Sequence, residues 1–151
     1  MIVLLARFLV GATLAAGPSP VGTSAPMSTE EYVYELTTDR RPDRLYAARE
    51  LRRRVRHALQ NSQRQPGTLR HMSAVQELLT YDQLVAPRCL AVMIEYIELR
   101  VPCVEILGML ETDDARATIQ LVMEAESRRW ALRRMESALR TLPAAHTGPE
   151  Q

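Results

Sequence analysis

The sequence has no lysine, two cysteines, three histidines, one phenylalanine and one tryptophan. Two cysteines cannot build a disulfide framework, and with three histidines they do not form a Cys/His zinc pattern. Aromatic residues make up only 5%, so the core has to be aliphatic, drawn from Leu, Val, Ile, Met and Ala. An excess of one charge is also missing: 19 arginines face 18 acids, a net charge of +1, which points to neither nucleic acid nor a membrane. No H-E-x-x-H, G-x-S-x-G, Gly-rich phosphate loop or EF-hand spacing occurs, so no catalytic residue, metal or cofactor is expected. What is present, 46% hydrophobic and 25% charged residues over 151 positions, describes one folded domain.

The ends differ in character from the middle. Residues 2–16 are apolar except for Arg7. The run is shorter than the roughly 20 residues that span a bilayer. It has the layout of a signal peptide over residues 1–16: Arg7 as the charge, Phe8 to Ala16 as the apolar region, Leu14-Ala15-Ala16 or Ala15-Ala16-Gly17 as the cleavage zone. This favours an exported, periplasmic protein. A start at Met27 would instead give a cytoplasmic one, and a retained segment would act as a tether. Residues 17–27 read as a flexible Gly/Pro/Ser linker, 28–142 as the folded part and 143–151 as a disordered tail.

From residue 28 the apolar spacing is helical throughout, and no alternating run is long enough for a strand. Ser28 and Glu31 have capping-box spacing and open a helix to about Thr37. Pro42 suits the first turn of the next, whose stripe is Leu45, Ala48, Leu51, Val55 and Ala58. A polar loop over 61–67 follows. Thr68 then caps a helix carrying Leu69, Met72, Val75, Leu78 and Leu79. Pro87 is expected to start another, with Leu90, Ile94 and Ile97 inward, followed by a helix over 98–110. Thr112 is expected to cap the next, with Asp113 and Asp114 complementing its dipole and Ala115, Ile119, Val122 and Met123 on its apolar face. The last helix spans 127–141, with Ala131, Met135, Ala138 and Leu139 facing one way.

An internal echo links four of these segments, which start at Arg44, His71, Arg100 and Arg128. Each has a long polar residue, a small one three later (Ala47, Ala74, Cys103, Ala131), an apolar one four later, and a large apolar one seven later (Leu51, Leu78, Leu107, Met135). Small residues let helix axes approach, and large ones fill the gap beside them. Helix pairs of this size cannot close a core alone, but stacked pairs can. The echo therefore predicts that the segments at 71, 100 and 128 lie side by side in a common orientation.

Residues 40–141 resemble HEAT repeats of the short bacterial type, similar to those of the lyases that attach bilins to light-harvesting proteins. The resemblance rests on Arg100, Val104, Leu107-Gly108, Leu110, the Asp113-Asp114 turn, Ala117, Leu121 and the helix from Arg128 to Leu139. RPDRLYAARELRRRV, starting at Arg41, is similar to a first HEAT helix. The region 61–68 departs from the pattern, with a loop where a second helix should stand. The resemblance implies an all-α fold, a short α-solenoid of antiparallel helix pairs, and a non-catalytic scaffold or adaptor that binds another protein in a groove. The groove residues it suggests are Arg116, Gln120, Glu124, Arg133 and Arg140.

Two further features carry candidate chemistry. Eight arginines fall within residues 40–56, and Arg49, Arg52, Arg53 and Arg56 share a helical face that could follow a phosphate backbone. Residues 27–76 hold 10 arginines against 6 acids, whereas residues 77–151 hold 8 against 12. This polarity makes a nucleic-acid-binding module the alternative function. Cys89 and Cys103 could pair as a disulfide in an exported chain. Cys103, at the small-residue position of the echo, is better suited to a reduced, buried role. Arg44 and Arg100 are expected to bond to the turns between helices.

Overall fold

The computed structural model describes residues 25–143; the signal-like stretch, residues 17–24 of the linker and residues 144–151 of the tail lie outside the described residues. The described residues are all helical: α1 (Thr29–Glu35), α2 (Arg41–Ser62), α3 (Leu69–Glu95), a short 3-10 turn (Ile97–Leu99), α4 (Arg100–Leu110), α5 (Ala115–Glu124) and α6 (Arg129–Thr141). No strand occurs among them.

The starts of α1 and α3 follow local chemistry. Ser28 and Glu31 form the reciprocal capping box. The Thr68 side chain accepts from the His71 N–H at 3.2 Å. Two other boundaries correct the sequence reading. Pro87 does not open a helix but lies inside α3, which runs unbroken for 27 residues. Proline removes one backbone bond to the residue four before it. Here both Pro87 and Gln83 are exposed, so water can take the freed carbonyl. The buried stripe Tyr81, Val85, Cys89 and Val92 continues across the site and holds both halves on one axis. Thr112 does not cap α5. Its N–H closes the end of α4 on the Leu107 carbonyl at 3.2 Å, and α5 begins at Ala115.

Contacts along α2, α4 and α6 fix their directions. At one end Arg44 reaches Glu98, and Arg128 donates to the Ile97 carbonyl at 2.9 Å. Halfway along, Arg52 and Arg134 both pair with Glu105. At the far end Thr141 donates to the Gly108 carbonyl at 3.2 Å. Residue numbers rise together in all three helices, so they run parallel, with α4 in the middle. Ala47, Cys103 and Ala131 are completely buried, and so are Leu51, Leu107 and Met135. These are the small and large positions of the echo.

The segment starting at His71 does not join this row, which corrects the expected common orientation. His71 Nδ1 lies 2.8 Å from the Ser62 carbonyl, and Leu78 and Leu79 lie near Met109 and Leu110. The helix α3 is therefore antiparallel to both α2 and α4. Parallel neighbours in a chain of helical hairpins are separated by two helices. From Arg44 to Arg100 that step holds the long α2 and α3. From Arg100 to Arg128 it holds the short α4 and α5, so it halves. The interval of near 28 residues before His71 has no structural counterpart.

The arginines of the echo tie the loops together. Arg44 also donates to the Thr38 carbonyl at 2.7 Å, and Arg100 to the Ala125 carbonyl at 3.1 Å. The buried Glu126 carboxylate accepts from the Arg128 backbone N–H at 3.0 Å and from its guanidinium at 2.8 and 2.7 Å, and it lies 3.5 Å from Arg100. The Arg128 hydrogen bond, helped by the backbone N–H and both charges, outweighs burial and holds this carboxyl down to about 2. Its folded value lies below its unfolded one. The stabilisation is therefore complete above the ordinary glutamate range and is lost as pH falls from about 5 towards 2. With discount for Arg128, whose side chain is 32% exposed, it is worth about 2 kcal/mol at neutral pH. Urea unfolding of the wild type and Glu126→Gln should show a gap at pH 7 that closes below pH 3. A gap independent of pH would contradict this account.

Candidate functional site

The backbones of the outer helices of the parallel row, α2 and α6, stay apart, whereas both helices pack on α4. This leaves a groove of about 540 Å³ with α4 as its floor. Arg56 and Leu59 of α2, with Gln63 just past its end, line one wall. Glu105, Gly108 and Met109 form the floor, and Arg134, Ser137, Ala138 and Thr141 the other wall.

Local sequence explains this shape. Gly108 lies where α6 presses close: a Cβ there would stand 3.0 Å from Thr141 Oγ1 and 3.1 Å from both Ala138 Cβ and the Ala138 carbonyl. Only a residue without a side chain keeps the floor this close to the wall. Glu111 ends α4 in the left-handed region at φ 53°, turning the chain away at the mouth of the groove.

The charge distribution is uneven. The Glu105 carboxylate is shared by guanidiniums from opposite walls, Arg52 and Arg134, and Arg134 is about half exposed, at 49%. Arg56 is exposed and has no ion-pair partner among the described residues. Two guanidiniums thus flank the Glu105 carboxylate, and Arg56 and Glu111, unpaired among the described residues, lie elsewhere on the lining.

The structure places the suggested groove residues elsewhere. None of Arg116, Gln120, Glu124, Arg133 and Arg140 lines this groove. Arg116 donates to the Leu142 and Pro143 carbonyls, each at 3.0 Å, closing the end of α6. Gln120, Glu124 and Arg133 are exposed, and Arg140 borders a small hollow beside Arg116. The candidate anion face is partly neutralised within the chain: Arg52 pairs with Glu105 and Arg53 with Glu50, leaving Arg49 and Arg56 without ion pairs among the described residues. Cys89 and Cys103 are free thiols, both fully buried. The thiol–thiol hydrogen bond and burial push Cys103 well above the ordinary thiol range. Neither is a ready nucleophile.

The residues that sequence reasoning missed are Glu105, Gly108, Met109, Arg134, Ser137 and Ala138. One signal was available: Glu105 is the acid that the arginine-rich helices on either side can share. The second surface feature is a hollow by Leu59, Val75, Leu79, Met109 and Leu110, between α2, α3 and the end of α4. Among the described residues no helix is long and apolar enough to cross a membrane, and no group of three His, Cys, Asp or Glu could hold a metal ion. No protein-family model, curated protein or solved structure matches the chain.

Proposed function

We propose that this chain is a short HEAT-like α-solenoid that works without catalysis, as a scaffold or adaptor holding a segment of another protein. The observation that carries the reading is the groove between α2, α4 and α6. A row of parallel helices with antiparallel partners behind it is what stacked helix pairs produce. The short α4–α5 pair and α6 continue the pattern that the longer α2–α3 pair begins. The groove walls are exposed side chains on rigid helices, so their identity can vary without disturbing the core. The nucleic-acid alternative loses support where Arg52 and Arg53 are already engaged within the chain.

A groove-filling variant tests this reading. Ser137 is exposed on the α6 wall, so Ser137→Trp should fill the groove and leave the core intact. Affinity purification from the native host should recover a protein partner with the wild type. Recovery should survive nuclease treatment and fall at least about tenfold with Ser137→Trp, as expected when a packed contact region is blocked. Nuclease-sensitive recovery, or equal recovery with both forms, would contradict the proposal.

A further inference from the structure

We infer that Cys89 and Cys103 join as a disulfide between α3 and α4 when the chain folds in the presence of a low-molecular-weight disulfide, and that the folded chain neither gains nor loses this bond afterwards. The inference is independent of the scaffold reading.

The hairpin brings the two residues together. Cys89 lies six residues before Glu95, the last of α3, and Cys103 three residues after Arg100, the first of α4. The helices are antiparallel and joined by the short turn at Ile97–Leu99. At the rise of an α-helix the two cysteines are therefore level to within about one turn. Both are completely buried in the same core, and their thiols hydrogen-bond to each other. Val85, Ala86 and Val92 on α3 and Val104 on α4 are buried in that core as well. Small side chains at a helix interface leave the axes free to approach, as a covalent bond between the sulfurs requires.

Burial decides when the bond forms. Thiol–disulfide exchange needs a thiolate and access of the small disulfide to it. In the folded chain neither side chain meets solvent, and the hydrogen bond with Cys89 and burial push the Cys103 thiol well above its ordinary range. In the unfolded chain both obstacles are gone. One cysteine gives its proton to water, and its thiolate attacks a sulfur of the small disulfide. That S–S bond breaks, one small thiolate leaves, and a mixed disulfide remains. The second cysteine, deprotonated in the same way, attacks the protein-side sulfur and releases the second small thiol. Two protein thiols are oxidised, and one small disulfide is reduced to two thiols. Folding then shields the product from reductants as it shields the thiols from oxidants. The bond closes a short ring and so restricts the unfolded chain.

The test follows the mass of the full chain in oxidised glutathione. The sequence has only these two cysteines, so the intramolecular product is unique. Refolding from urea in the oxidant should lower the mass by about 2 Da, the loss of two hydrogen atoms. Cleavage after Arg88, Arg100 and Arg116 separates the cysteines and should return peptides 89–100 and 101–116 as a linked pair. The native chain in the same oxidant without urea should react roughly a hundredfold more slowly, because it reacts only through rare opening of the core. The oxidised chain should melt about 5–10 °C above the reduced one, as expected for a short ring. Cys103→Ala refolded in the oxidant should show no such rise. Dithiothreitol should break the bond in urea and leave it intact without. Glutathione adducts or cross-linked dimers in place of the ring, a lower melting temperature for the oxidised chain, or oxidation of the native chain as fast as during refolding would each overturn the inference.

Discussion

Arg44→Met is expected to lower the free energy of unfolding by about 3–5 kcal/mol, the cost of breaking a buried ion pair by removing one partner. Arg44 and Glu98 have side chains only 10% exposed, and Arg44 Nη2 lies 2.5 Å from Glu98 Oε1. The guanidinium also stands 4.1 Å over the Tyr96 ring. Burial pushes the Glu98 carboxyl up, but the Arg44 hydrogen bond, the local backbone and the Arg44 charge together hold it below the usual range. Without Arg44 only the burial effect remains strong. The variant should then recover part of its loss as pH falls and Glu98 is protonated. Arg44→Met combined with Glu98→Leu should recover most of it at neutral pH, because two apolar side chains leave no charge to desolvate. Urea denaturation of the three forms at pH 7 and pH 5 measures this. A loss under about 1 kcal/mol for Arg44→Met would show that the pair is solvated and not a tie between α2 and the start of α4.

Gly108→Leu is expected to cost about 3 kcal/mol, at the upper end of overpacking effects. Leucine favours a helix by somewhat under about 1 kcal/mol relative to glycine, which offsets little of this. The obstruction includes the Ala138 carbonyl, a backbone atom that moves only if α6 moves. Gly108→Ala should fall between the two forms, since its single methyl meets contacts at 3.0–3.1 Å. Thermal unfolding monitored by circular dichroism gives the order. Gly108→Leu matching the wild type would mean that α6 does not press on α4 here, and the wall of the groove would be misplaced.

Much of the fold was legible wherever the cause is local. Ser28 and Thr68 signal helix starts through bonds made three residues away. The small and large positions at Ala47, Leu51, Cys103, Leu107, Ala131 and Met135 announced buried faces, and Arg44 and Arg100 do bond between helices. Errors arose where packing overrides a local signal. Pro87 would end an isolated helix, but α3 is held on both sides of it by the core. The segment at His71 shares the spacing of the others yet runs the opposite way, because spacing along one helix carries no information about direction relative to a neighbour. The groove was hidden for the same reason. Its shape depends on Glu105 meeting arginines 53 residues before and 29 after, and on Gly108 facing Ala138. Such pairings are set by how three helices come into register. Arg116 was suggested as a groove residue by the resemblance to stacked helix pairs, and the bonds of its guanidinium to the Leu142 and Pro143 carbonyls join residues 26 and 27 positions apart, which no local pattern announces.

The arrangement of α2, α4 and α6 as parallel neighbours around a groove can be measured by pulsed electron paramagnetic resonance. Spin labels at Gln63 and Thr141 would sit at the same end of the groove, on opposite walls. Labels at Gln63 and Arg129 would be separated additionally by most of the length of α6, roughly 18 Å at the rise of an α-helix. The account predicts that the 63–141 distance is the shorter by on the order of 10 Å. A 63–129 distance equal to or shorter than the 63–141 distance would contradict it.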